Sequence, residues 1–174
     1  APHVPENWNT KKAFQFESLI MAETFWSEVE RISGERCGYL RSGRVQPLGD
    51  DRAVALAEAR AETATDLWQG KAEWSVLPLE QFGAWAPKSD TGMVVFDTLT
   101  ARIHPRRATR ALAAAIIVQG GEVVAEGQPE GQIVYATGWR GMVELSEQLG
   151  KSVGGGVKGQ AALFRYDAAN LPQL

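Results

Sequence analysis

Residues 105–150 read PRRATRALAAAIIVQGGEVVAEGQPEGQIVYATGWRGMVELSEQLG, and this stretch decides the fold class. Pro105 stands where a helix starts, since its missing N–H is not needed in a first turn. It opens an Ala-rich helix to Val118, which Gly120-Gly121 ends. Val123-Val124 and Ile133-Val-Tyr-Ala136 are short unbroken apolar runs, the pattern of strands buried on both faces. Met142 to Leu149, between Gly141 and Gly150, reads as a second helix. Helix, strand, short link, strand, helix is an α/β order.

Upstream the pattern is different. After Pro5-Glu-Asn-Trp-Asn9, Thr10 is the expected N-cap of a long helix in which Phe16, Leu19, Ile20, Phe25, Trp26, Val29 and Ile32 recur at helical spacing and Gly34 is the stop. Gly38 to Leu48 turns extended, with Gly43 as a possible bulge and Pro47 as the stop. Asp50 or Asp51 caps a second helix to about Gln69, so weakly apolar that a surface position is expected. Trp74–Leu77 is a strand and Pro78–Phe82 a helical turn. Met93–Phe96 and Leu99–Ile103 form a β-leaning run around Asp97, and Val157–Tyr166 closes the chain as another strand.

Composition excludes several classes. The 174 residues are 44% apolar, enough for a core, with 18 basic against 21 acidic side chains and no run of one sign. That balance does not suit a nucleic-acid groove or an anionic membrane surface, so neither partner is expected. The single Cys37 forms no intramolecular disulfide, and no apolar stretch reaches membrane-spanning length. A soluble, cytoplasmic protein is expected. The chain opens at Ala1 with neither a Met nor a leader, as if something had preceded it.

Gly154, Gly156 and Gly159 satisfy the spacing of a dinucleotide-binding fingerprint. That fingerprint needs a strand before it and a helix after it, so that free N–H groups meet the pyrophosphate. Here a helix precedes the glycines and a β-like run comes after them. Gly150-Lys151-Ser152 resembles the end of a phosphate-binding loop, but Leu145 stands where its first glycine belongs. His3 and His104, the only two histidines, have no Cys or carboxylate at metal-ligand spacing. His104 reads as a packed or solvated imidazole at a helix entrance, and Cys37 as a buried thiol. Of six tryptophans, most are core anchors. Trp139 stands apart, because it comes directly after a small-residue turn at a strand end, where α/β sheets place ligands.

Taken in order, these pieces resemble the D-amino-acid-oxidase-like flavoproteins, which include glycine and sarcosine oxidases. Ala1-Pro-His-Val-Pro5 and the long helix resemble the segment just after that family's flavin-proximal turn. Gly38-Tyr-Leu-Arg-Ser-Gly-Arg-Val-Gln-Pro-Leu48 resembles the strand opening its substrate domain. Phe96-Asp97, His104-Pro105 and Gly120-Gly-Glu-Val123 resemble its return to the flavin domain. Ile133–Trp139 resembles its A-x-G turn, and Val157-Lys-Gly-Gln160 its K-G-Q strand.

The resemblance implies an α/β (α+β) fold: a mainly antiparallel substrate-domain sheet plus a partial FAD-binding, Rossmann-like layer. Its divisions would be 1–34 as connecting segment and helix, 35–103 with 151–174 as the sheet unit, and 104–150 as the flavin-domain remnant. It implies FAD as cofactor of the parent, a small amine or amino acid as substrate, and C–N bond oxidation as the reaction. Ala136, Thr137, Gly138 and Trp139 would form the cofactor-facing turn, and no residue is required as catalytic acid or base. The N-terminal glycine loop and the C-terminal substrate-carboxylate groups of the family have no counterpart here, and Ala125–Gln132 replaces a longer β-excursion. The chain alone is therefore expected to be inactive and to bind flavin poorly. A flavin domain that modifies aminomethyl-uridine in tRNA and a non-catalytic α/β interaction domain are the alternative readings.

Overall fold

Asn9, held extended at φ −152°, accepts a hydrogen bond from the Lys12 N–H at 3.0 Å and starts the first helix, α1 (Thr10–Ser33). The structure, a computed structural model, describes residues 3–128, 130–157 and 159. The cap thus lies one residue before the expected Thr10, consistent with asparagine ranking above threonine as a cap. Gly34, at φ +69°, ends the helix.

Three strands make one antiparallel sheet in the order β1 (Arg44–Pro47), β3 (Met93–Asp97), β2 (Trp74–Pro78). The register pairs Arg44 with Asp97 on one side of β3 and Trp74 with Asp97 on the other. Pro47 and Pro78 end the two edge strands, where a missing donor is tolerated. This is the expected mixed α/β class with an antiparallel sheet.

The long strand expected over Gly38–Leu48 is shortened to β1. Gly43 sits at φ +75°, and a Cβ there would lie 2.7 Å from the Asp97 carbonyl oxygen, so the chain crosses β3 too closely to run straight. Upstream of it only a Leu40–Arg102 bridge remains, which is also all that is left of the expected Leu99–Ile103 strand.

Helix α2 (Asp51–Trp68) starts at Asp50, whose carboxylate accepts from the Ala53 N–H at 2.7 Å. Its outer side is exposed, as in a surface helix, and only its inner side is covered. Ala57, Ala64 and Trp68 are buried against β2 and the helix α1, because small alanines let a helix approach a sheet closely even though they add little hydrophobicity. A 3-10 segment, Leu79–Trp85, comes after β2 and brings the Phe82 ring within 5.8 Å of Phe96.

Two buried clusters share α1. In the first, Phe16 stacks on Trp68 at 6.4 Å, Trp68 meets Trp74 edge-on at 6.2 Å, and the Trp74 indole N–H donates to the Ala57 carbonyl at 3.0 Å. In the second, Val29 and Cys37 pack on Ala108, Ala111 and Ala115 of α3 (Pro105–Val118). Burial of a side chain the size of Phe16 contributes about 1.5–3 kcal/mol. Helix α3 lies on α1, and the compact units meet between Val123 and Val124.

In the second unit, helix α4 (Gly138–Leu149) begins four residues before the expected Met142. The expected strands at Val123-Val124 and Ile133–Ala136 are not formed, and Val123, Val124, Ile133, Val134 and Tyr135 are exposed. A short apolar run becomes a strand only beside ladder partners, and none lies alongside among the described residues. The expected Val157–Tyr166 strand lies largely outside the described residues.

No helix among the described residues is long and apolar enough to cross a membrane.

Candidate functional site

Thr137 precedes α4 at φ −83° and ψ 7°, and Gly138 opens the helix at φ +67°. No side chain caps the helix and no acidic residue occupies its first turn. The first N–H groups of a helix have no intrahelical acceptor and carry the positive end of its dipole. Gly138 provides the left-handed turn that lets the backbone enter the helix there, at a position where a Cβ would meet no neighbour. At Gly141, by contrast, a Cβ would fall 2.2 Å from the Thr137 hydroxyl oxygen.

Trp139 is 57% exposed, and the Arg140 guanidinium lies over its ring at 5.4 Å. After α4 the chain doubles back along the helix. A Cβ on Gly154 would stand 3.0 Å from the Met142 Cβ, and one on Gly156 would stand 3.1 Å from the Trp139 ring. The glycine run therefore permits close packing on α4 in the described structure. Trp139, Gly155, Gly156, Val157 and Gly159 border an open recess of about 620 Å³.

Of the expected site residues, the structure places Thr137, Gly138 and Trp139 at the start of α4, with Ala136 just before. It does not place a strand ahead of them. The sequence reading missed Arg140 and Gly156 as neighbours of Trp139. Periodicity could have suggested neither, since one contact is a stacked cation and the other joins positions 17 residues apart. Uncapped N–H groups, a planar ring and a guanidinium fit part of an anionic, aromatic dinucleotide.

Residues 6–165 match the FAD dependent oxidoreductase family. The chain belongs to that family. A comparison with curated proteins gave no match. Family membership makes FAD the cofactor and oxidation–reduction the reaction type of this flavoprotein family.

The other candidate groups have structural roles in this family member. His104 caps α3, its Nδ1 accepting from the Arg107 N–H at 3.4 Å, which gives the expected imidazole at the helix entrance a specific function. His3 is 101 positions away and has a buried, unpartnered Nδ1 among the described residues; burial, then the nearby Arg44 charge, lowers its pKa. Among the described residues, no group of three or more His, Cys, Asp or Glu side chains converges as metal ligands would. Gly150-Lys151 closes the C-terminus of α4, with the Lys151 N–H donating to the Ser146 carbonyl at 3.1 Å. That end presents carbonyls rather than the N–H groups a phosphate needs.

Cys37 is fully buried. Its thiol donates to Glu30 Oε1 at 3.0 Å, and the same oxygen accepts the Cys37 N–H at 2.8 Å. Burial pushes the thiol pKa up, and the Glu30 hydrogen bond adds to the effect, which is opposite to what a nucleophile needs.

Proposed function

We propose that this chain is the part of an FAD-dependent amine or amino-acid oxidoreductase that links substrate domain to flavin domain, acting on the C–N bond of a glycine-, sarcosine- or D-amino-acid-like substrate. The observation that carries the reading is the family match over residues 6–165, in which the short motifs also fall in the family's order. When bound, the flavin supplies the hydride acceptor, leaving the protein to bind and orient.

In this reading Ala136, Thr137, Gly138 and Trp139 face the cofactor. The small residues at 136 and 138 let backbone N–H groups come close to the dinucleotide, and the uncapped start of α4 favours its negative charge. Arg140 adds a cation of the right sign. No residue of the chain is assigned as general acid or base. The 174-residue chain by itself binds flavin weakly, because no strand–glycine-loop–helix among the described residues aims a full set of N–H groups at the pyrophosphate, and desolvation of that group is then not offset.

Two measurements test this. The protein that carries the chain should release flavin on denaturation and form hydrogen peroxide with glycine, sarcosine or a D-amino acid. Absence of flavin, or a flavin reduced only by substrates without a C–N bond, would refute the assignment. Titration of the 174-residue chain with FAD, monitored by flavin fluorescence, should give no sub-micromolar binding.

A further inference from the structure

Helix α1 carries a second pattern on its outer side that its core packing does not use. Lys11, Phe14, Ser18, Met21, Phe25 and Glu28 are all solvent-exposed and are spaced alternately three and four residues apart. Phe14 is 75%, Met21 57% and Phe25 43% exposed. Spacing of three and four keeps these side chains on one seam, the repeat by which two helices pack knobs into holes. The core-facing residues Phe16 and Val29 lie off that seam, so it is a separate face rather than the edge of the core stripe.

The order of residues along the seam is self-complementary when reversed. Two antiparallel copies related by a two-fold axis between Leu19 and Ile20 would set Lys11 opposite Glu28, Phe14 opposite Phe25 and Ser18 opposite Met21, each pair occurring twice. Charge meets opposite charge at both ends, ring meets ring, and the small serine receives the flexible thioether. A parallel pairing would place Lys11 on Lys11 and Glu28 on Glu28. Arg31 already holds both Glu28 carboxylate oxygens, but a carboxylate has about four acceptor sites, leaving capacity for an ammonium group.

We propose that α1 is a self-association surface whose occupant is the α1 of a second copy of this chain, packed antiparallel about that two-fold axis. A two-fold contact of this kind closes on itself and gives a dimer rather than a filament. The seam from Lys11 to Glu28 is about 26 Å long. Taken alone it is smaller than the about 1,000 Å² of a stable interface, so the dimer is weak and reversible.

The test is sedimentation equilibrium of the 174-residue chain over a wide concentration range. The mean mass should climb from monomer towards dimer. Lys11→Glu and Glu28→Lys should each weaken dimerisation about tenfold, because each turns two attractive pairs into repulsive ones. The Lys11→Glu/Glu28→Lys double variant should restore most of the loss, a result that non-specific apolar clustering does not give. Far-UV circular dichroism checks that each variant keeps its helices. A chain that stays monomeric, a dimer indifferent to both reversals, or a double variant as weak as the singles would overturn the proposal. The first of these would leave the seam to a different partner or to another segment of a longer polypeptide.

Discussion

The Arg44 guanidinium donates its Nε–H to Asp97 Oδ2 across 3.0 Å, joining the first residue of β1 to the last residue of β3. Asp97 is fully buried, and its other oxygen accepts from the Thr100 N–H at 2.8 Å and the Thr100 hydroxyl at 2.7 Å. One carboxylate therefore satisfies the strand pair and the turn after it. Asp97→Ala should cost about 2–4 kcal/mol, since it orphans several donors at once. Thr100→Val should cost about 1 kcal/mol. Urea unfolding measures both, and an Asp97→Ala loss below the Thr100→Val loss would contradict these roles.

Cys37 should be chemically silent while the protein is folded. Its thiol has no exposed surface and its pKa is raised by burial and by Glu30. Alkylation by iodoacetamide at neutral pH should proceed at the rate at which the fold opens, and should accelerate sharply at the urea midpoint. Prompt labelling of native protein would mean that the thiol is reachable.

Acid should weaken the tie between the N-terminal loop and α2. Arg60 grips Glu6 through two hydrogen bonds, at 2.8 and 2.9 Å, and this pairing holds the Glu6 carboxyl below its ordinary value of 4.5. A depressed folded pKa adds stability that is present above the unfolded value and is lost as pH falls through the folded one. Glu6→Gln should thus lower the melting temperature at neutral pH, by a modest amount because the pair is partly solvated, and the gap should close in acid below 4.5. A gap that persists unchanged in acid would show that shape, and not charge, makes the difference.

Gly138 separates a cofactor turn from an ordinary helix start. At φ +67° a side chain is strained even though no neighbour obstructs it, so Gly138→Val should cost about 1–3 kcal/mol of stability. In the flavin-loaded protein the same change should lower flavin absorbance per folded molecule by more than the stability loss explains. Unchanged occupancy would withdraw Ala136, Thr137, Gly138 and Trp139 as a cofactor contact.

Where local chemistry and tertiary packing agree, the sequence was readable. The apolar spacing of α1, the Asp50 cap of α2, the Val94-Val95 strand and the Pro105 entrance of α3 all depend on neighbours within a turn or two. The misreadings came from partners far along the chain. Gly43 interrupts its strand because of Asp97, 54 positions on, and no local rule contains that approach. Ile133–Ala136 has the composition of a buried strand, yet composition does not provide a ladder. Trp139 could be singled out from the small residues before it, but the start of α4 four residues early and the approach of Gly156 to the ring, from 17 positions along the chain, lie outside any local pattern.

Helix α1 touches one buried cluster through Phe16 and the other through Val29, and this gives it a mechanical role. At 24 residues it is a strut about 36 Å long, stiff enough to carry a disturbance from one end to the other. Loosening the tryptophan cluster frees the first turns of α1, and the alanine face of α3 then loses the surface it rests on. The sheet and the α3 side should therefore open together, with their amides exchanging as one population rather than two. A proline placed between Phe16 and Val29 would be the way to let each side fail on its own.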